Sequence, residues 1–195
     1  ADEVKDKNGK KIAILSGSKV EWVEEESFFF KLSAWQDKLL KFYESNKKFI
    51  LPITRRNEVI NFVKGGLNDL SVSRTSFTWG IKVPGNSNHV IYVWLDALTN
   101  YLSALNFPNT KDKLFTNFWP ASLHVIGKDI LRFHAIYWPA FLLAAGIKPP
   151  IRVFSHGWIL SGDEKMSKSK GNILNPLEII DKYGIDELRY YLMKE

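Results

Sequence analysis

The chain has 195 residues, 45% of them hydrophobic and 14% aromatic, enough to bury a core in one large domain or two small ones. Lys and Arg outnumber Asp and Glu by 27 to 21, a net +6 that is compatible with a nucleotide or nucleic-acid partner but too mild to establish one. Cysteine is absent, which excludes a disulfide framework and a thiolate zinc site, and no apolar run approaches the ~18 residues of a membrane span. With no signal peptide at its start, the chain is expected to be cytoplasmic, without membrane contact and without zinc.

In chain order, Asn8-Gly9 is a turn signal, and residues 12–15 and 20–23 read as short strands about Gly17-Ser18. Phe28, Leu32, Trp35, Leu39 and Phe42 alternate spacings of four and three, which predicts one apolar helix face starting at Ser27 as N-cap. A second helix is expected over residues 56–64, stopped by Gly65-Gly66. Residues 68–88 are polar and turn-rich, with Trp79-Gly80 and Pro84-Gly85, so the main boundary falls there and divides the chain into 1–88 and 89–195.

Beyond it, residues 89–94 are a strand rich in β-branched and aromatic side chains, feeding a helix with Ala97, Leu98, Tyr101, Leu102 and Leu105 as apolar positions. Residues 122–127 are a second strand, followed by a helix over about 129–145 that Gly146 caps and Pro149-Pro150 prevent from continuing. A third strand, 152–160, precedes the basic run Glu164-Lys-Met-Ser-Lys-Ser-Lys-Gly-Asn172. Asn175-Pro176-Leu177-Glu178 then opens the first of two short helices, 176–183 and 186–194, with an Asx N-cap, proline at the first helical position and Glu at the third. Alternating strands and helices with short links predict an α/β fold, a parallel sheet with right-handed crossovers. Residues 1–88 lack the earlier strand–turn–helix unit whose glycines approach phosphates, so the chain reads as the second half of a doubly wound domain.

Open α/β sheets bind ligands at the carboxyl ends of their strands, and three groups of residues are expected there. Trp94, Ala97 and Tyr101, at i, i+3 and i+7, share a face near that edge, and Ile130 and His134 lie at i and i+4 on the next helix. A wall of Trp, Tyr and Ile with one imidazole suits a linear, soft, apolar side chain such as a thioether; ordinary core packing is the alternative. Gly127 allows close approach of a ligand, and Asp129 is either an acceptor for ribose hydroxyls or a helix N-cap. His156-Gly157 could admit an adenine ring beside the backbone. In the basic run, Lys165 and Lys168 are compact cations suited to a polyphosphate whose charge moves during reaction, set against the alternative of a solvated charge run. The four histidines have no metal-ligand spacing, and no nucleophile triad is visible.

Lys165-Met-Ser-Lys-Ser169 matches the signature loop of class I aminoacyl-tRNA synthetases residue for residue. Tyr92-Val-Trp-Leu-Asp-Ala-Leu-Thr-Asn-Tyr101 and His124-Val-Ile-Gly-Lys-Asp-Ile-Leu-Arg-Phe-His134, in that order before the loop, resemble the methionyl-tRNA synthetase family, and the likeness covers nearly the whole chain. The resemblance implies a Rossmann-like catalytic half, 89–195, preceded by the end of a connective α+β insertion, 1–88. It implies a methionine pocket at Trp94, Ala97, Tyr101, Ile130 and His134, ATP-binding positions at Gly127, Asp129, His156 and Gly157, and triphosphate contacts and catalysis at Lys165 and Lys168. The partners it implies are methionine, ATP carrying Mg²⁺, tRNA(Met), and an amino-terminal half of the same protein. The family's His-x-Gly-His motif is missing; His124-Val-Ile-Gly127 is only superficially similar to it. Leu98 stands where some members carry proline, and Leu70 where some carry tryptophan. A fragment without that motif is expected to be inactive alone. The alternatives are a class I synthetase of other specificity and a non-catalytic nucleic-acid-binding module derived from one.

Overall fold

The computed structural model describes residues 4–7, 10–13, 20, 24–162, 164–166 and 171–194. In chain order its strands are β1 (Val4–Lys7), β2 (Lys10–Ala13), β3 (Phe29–Phe30), β4 (Ile50–Leu51), β5 (Leu70–Ser71), β6 (Ser73–Arg74), β7 (Lys82–Val83), β8 (Asn86–Ile91), β9 (His124–Gly127), β10 (Val153–His156), β11 (Leu160–Ser161) and β12 (Glu164–Lys165). The α-helices are α1 (Gln36–Ser45), α2 (Ile53–Lys64), α3 (Val93–Ser103), α4 (Lys113–Phe118), α5 (Trp138–Ala144), α6 (Pro176–Tyr183) and α7 (Ile185–Lys194).

The chain divides into two compact units, neither of them continuous: Ala1–Phe29 with Ser71–Tyr92, and Phe30–Leu70 with Val93–Glu195. The division expected at residue 88 therefore needs correction, because residues 30–70 pack with the carboxyl-terminal segment. The physical cause is a strand too short to leave a periodic signal. Ile50 and Leu51 pair in parallel with Val153 and Phe154, so β4 becomes the third strand of a sheet ordered β4-β10-β9. That pairing draws in α1 and α2, whose Leu39, Tyr43, Val59 and Val63 join Ile50, Ile126, Ala135 and Val153 in one buried cluster.

The smaller unit is antiparallel. Its strand β8 lies between β6 and β7, with Ser73 opposite Ile91 and Lys82 opposite Val90. The strand expected over 89–94 thus belongs here and not to the parallel sheet; its β-branched run packs an antiparallel face just as well. Ser27 begins no helix: its hydroxyl hydrogen-bonds the Ser73 carbonyl at 3.0 Å, and α1 starts only after a 3-10 turn over Leu32–Trp35. The Asn8-Gly9 turn and most of the strands expected over 12–15 and 20–23 lie outside the described residues, although β1 and β2 pair across positions 8–9.

In the larger unit the helix expected over 129–145 runs without a gap from 128 to 144, opening as a 3-10 turn over Lys128–Ile130, widening to a π-helical turn over Phe133–Tyr137 and continuing as α5. Pro139 explains the widening. It has no N–H for the Ala135 carbonyl four residues back, and its ring crowds that oxygen, so the turn widens. The buried Tyr43 hydroxyl donates to the Ala135 oxygen instead, at 2.6 Å. After β10, β11 and β12 form a small antiparallel hairpin, and α6 starts as expected, with the Asn175 side chain accepting from Leu177 N at 3.0 Å.

Candidate functional site

Two groups of the expected residues meet in the larger unit. The first is aromatic. Trp94, expected at a strand end, lies in the first turn of α3, and its ring stacks on Phe133 with centroids 3.7 Å apart. Seven residues along the same helix, Tyr101 is half-buried, and its hydroxyl lies 2.9 Å from His134 Nε2. His134 Nδ1 faces the Ile130 carbonyl oxygen at 3.0 Å. A carbonyl can only accept, so Nδ1 carries the proton and donates, which leaves Nε2 to accept from the Tyr101 O–H. Ile130 contributes its backbone to His134, while its side chain packs against the cluster that holds Tyr43 and Ile126. Ala97 is exposed on α3.

Burial holds His134 below the ordinary histidine range, partly offset by the Ile130 carbonyl. The imidazole is therefore neutral at pH 7, and burial likewise pushes the Tyr101 phenol up, keeping it protonated. The result is an oriented, uncharged phenol–imidazole pair beside a tryptophan wall. Such an arrangement selects shape and polarity; it is not poised to exchange protons near neutrality.

Beneath Tyr101 sits His124, to which the sequence assigned no role. Its ring centroid lies 4.2 Å from that of Tyr101 and 6.1 Å from that of His134. Burial, and then the proximity of His134, lower its pKa to about 4, and its Nε2 has no hydrogen-bond partner among the described residues. Phe133 was missed as well. Nothing in spacing alone distinguishes either residue from core filler; only the fold brings them against Trp94 and Tyr101.

The second group gathers at the carboxyl ends of β9 and β10, where the parallel register sets Gly127 opposite His156. A Cβ on Gly127 would fall 2.6 Å from Asp129 Oδ1 and 3.7 Å from His156 Cε1, so the absence of a side chain is what lets the carboxylate fold back over the strand end. The cap position before the 3-10 turn is Gly127, with no side-chain bond, which settles that Asp129 is not an N-cap. Asp129 is exposed, and His156 shares a 2.8 Å hydrogen bond with the Gly157 carbonyl through Nδ1. Lys128 places its ammonium 4.7 Å from the centre of the Trp158 ring.

Lys165 lies on β12, paired with Leu160 across the hairpin, and Lys168 lies outside the described residues. An apolar cavity of about 570 Å³ is found elsewhere, between Leu160, Met166, Leu174 and the facing sides of α6 and α7. It contains one carboxylate, Glu187, and no converging set of polar groups. Among the described residues no three His, Asp or Glu side chains converge to hold a metal ion, and no helix is long and apolar enough to cross a membrane.

The family described as tRNA synthetases class I (M) matches residues 5–195. The methionine–tRNA ligase of Rickettsia felis is 62% identical over 180 residues, which is 92% of this chain and 35% of the relative. That of Mycobacterium tuberculosis is 56% identical over 188 residues, 96% of this chain and 36% of the relative. A crystal structure of the Mycobacterium tuberculosis methionyl-tRNA synthetase bound by methionyl-adenylate superposes with a TM-score of 0.89 at 54% identity, covering 98% of this chain and 37% of that one. Its free form gives 0.85 at 51% identity. This chain thus spans about a third of the length of the curated relatives it matches. With nearly every residue matched, on a Rossmann-like parallel sheet, the chain belongs to the class I (M) tRNA synthetase family.

Proposed function

We propose that the whole protein is a methionine–tRNA ligase. Methionine attacks the α-phosphate of ATP to give methionyl-adenylate and pyrophosphate, and the terminal ribose of tRNA(Met) then takes the methionyl group. The observation that carries the reading is the Tyr101–His134 pair. It is neutral and held by the Ile130 carbonyl, beside a tryptophan stacked on Phe133. A thioether needs an apolar wall and no charge; the tryptophan offers the first and the neutral pair the second. Methionine would lie against Trp94, Ala97, Tyr101, Ile130 and His134. The adenosine would lie at the strand ends, with Gly127 and Gly157 admitting it closely, Asp129 accepting ribose hydroxyls and His156 beside the base.

The chemistry depends on positioning and on charge stabilisation, without a covalent protein nucleophile. Lys165 and Lys168 would hold the departing pyrophosphate, and Mg²⁺ enters with ATP as part of the substrate, bound largely by phosphate oxygens and water. The reaction belongs in the cytoplasm. Methionine-dependent ATP–pyrophosphate exchange by the whole protein, run against a panel of amino acids, tests the proposal. Exchange with another amino acid would replace the specificity, and tRNA binding without any exchange would replace the enzyme by a binding module.

A further inference from the structure

We propose that the groove between α1 and α2 binds the phosphodiester backbone of an RNA, and, resting on the reading above, that the RNA is the tRNA substrate. The groove is a separate concavity of about 690 Å³, lined by Lys47 just beyond α1 and by Arg56, Asn57, Asn61 and Lys64 of α2, with Glu44 its one carboxylate. The helix geometry explains the alignment. Val59 and Val63 bury one side of α2 in the core, Asn57, Asn61 and Lys64 share the exposed side, and Arg56, one turn before Val59, reaches the groove from the inner side. Arg56 donates a 3.2 Å hydrogen bond to the Tyr43 carbonyl and lines the same groove.

The side chains of Lys47, Asn57, Asn61 and Lys64 have no hydrogen-bond or ion-pair partner among the described residues. Lys41 and Lys48, both exposed, add positive charge in the neighbouring sequence. A surface of ammonium, guanidinium and amide donors asks for an anionic acceptor with repeated charge. From Arg56 to Lys64 the helix advances roughly 12 Å. That span is long enough to face more than one phosphate of a nucleic-acid strand.

The test uses the whole enzyme with the double substitution Lys47→Glu and Lys64→Glu, which leaves Arg56 and its structural bond in place, and Lys182→Glu on α6 as a matched control. Binding of labelled tRNA is followed against salt, alongside aminoacylation and methionine-dependent ATP–pyrophosphate exchange. The double variant should raise the tRNA Kd and the tRNA KM about tenfold and lower the slope of log Kd on log salt by about 2. Exchange should stay at the wild-type rate, and the control should change neither. Unaltered tRNA Kd and salt slope in the double variant overturn the proposal, as does a loss of tRNA affinity with an unchanged slope. If the wild-type protein lacks exchange altogether, the ligase reading fails, while the tRNA-binding comparison still decides the groove.

Discussion

His124 and His134 stand 6.1 Å apart inside an aromatic cluster, and neither can be charged there cheaply. Burial first, and then His134, bring His124 from 6.5 down to about 4. A histidine with a lowered folded-state pKa takes up its proton more readily when unfolded, so folding stability is complete above pH ~6.5 and is lost as pH falls toward ~4. The loss from His124 is on the order of 3 kcal/mol, and His134 adds to it in the same direction. Thermal unfolding of the whole protein should therefore be flat above neutrality and fall steeply across that window. His124→Phe should remove much of the slope while keeping the ring packing. An unchanged pH profile in that variant would show that His124 is not the titrating group.

At the same scale, Trp94 packs through one ring face on Phe133, which fixes it as a wall for whatever lies beside Tyr101. Trp94→Ala should raise the methionine KM and blunt discrimination against shorter apolar amino acids, where each methylene is worth about 1–3 kcal/mol. Equal loss for all amino acids, with discrimination intact, would place the tryptophan outside the pocket. Lys168 is expected to act later in the reaction, when charge develops on pyrophosphate. Lys168→Ala should slow single-turnover adenylation about a hundredfold, or about 3 kcal/mol, with methionine binding little changed. Unaltered adenylation would end that role.

Between residue and fold, the decisive element is the widened turn over Phe133–Tyr137, which carries His134. Pro139 removes one backbone donor, and Tyr43 on α1 replaces it with a hydroxyl. Tyr43→Phe would leave the buried Ala135 carbonyl without its donor, costing about 1–3 kcal/mol of stability. Because His134 sits on that turn, the methionine KM should rise along with the drop in Tm. A variant with wild-type Tm would mean that another donor reaches Ala135. The sequence carried the periodic helix around Ala135 and the proline inside it, but not Tyr43 as partner, 92 positions earlier. Elements with strong local signals were legible, among them the Asn175 cap of α6, β9, β10 and the glycine stop after α2. Those that depend on distant pairing were not. Two residues of β4 give no pattern, and β8 has the composition of a buried parallel strand, so its antiparallel partners Ser73 and Lys82 are invisible from its own sequence. For the site, spacing put Trp94 with Tyr101 and Ile130 with His134; Phe133 and His124 emerged only when α3 met the turn after β9.

Over the whole molecule, on the reading proposed above, the strand ends would form one side of a nucleotide site, Lys165 and Lys168 would meet its pyrophosphate, and further phosphate contacts would come from another segment of the whole protein. The described parallel sheet has three strands, β4, β10 and β9, and no His-x-Gly-His motif occurs anywhere in the 195 residues. The curated relatives are about three times as long as the matched segment. Near the carboxyl end, Leu177, Tyr183, Ile185, Tyr190 and Met193 are exposed, Met193 at 87%, an apolar surface that favours association in water. The 195-residue chain by itself should therefore show no methionine-dependent ATP–pyrophosphate exchange, even with Lys165 and Lys168 intact. It should also self-associate as its concentration rises, seen as a growing sedimentation coefficient. Adding the amino-terminal segment of the same protein should restore part of the exchange, because the ATP contacts missing from β9 and β10 would then be supplied in trans. Exchange by the isolated chain at the rate of the whole enzyme would mean that the residues at the ends of these two strands hold the nucleotide unaided, and the assignment of the phosphate side to another segment would have to be abandoned.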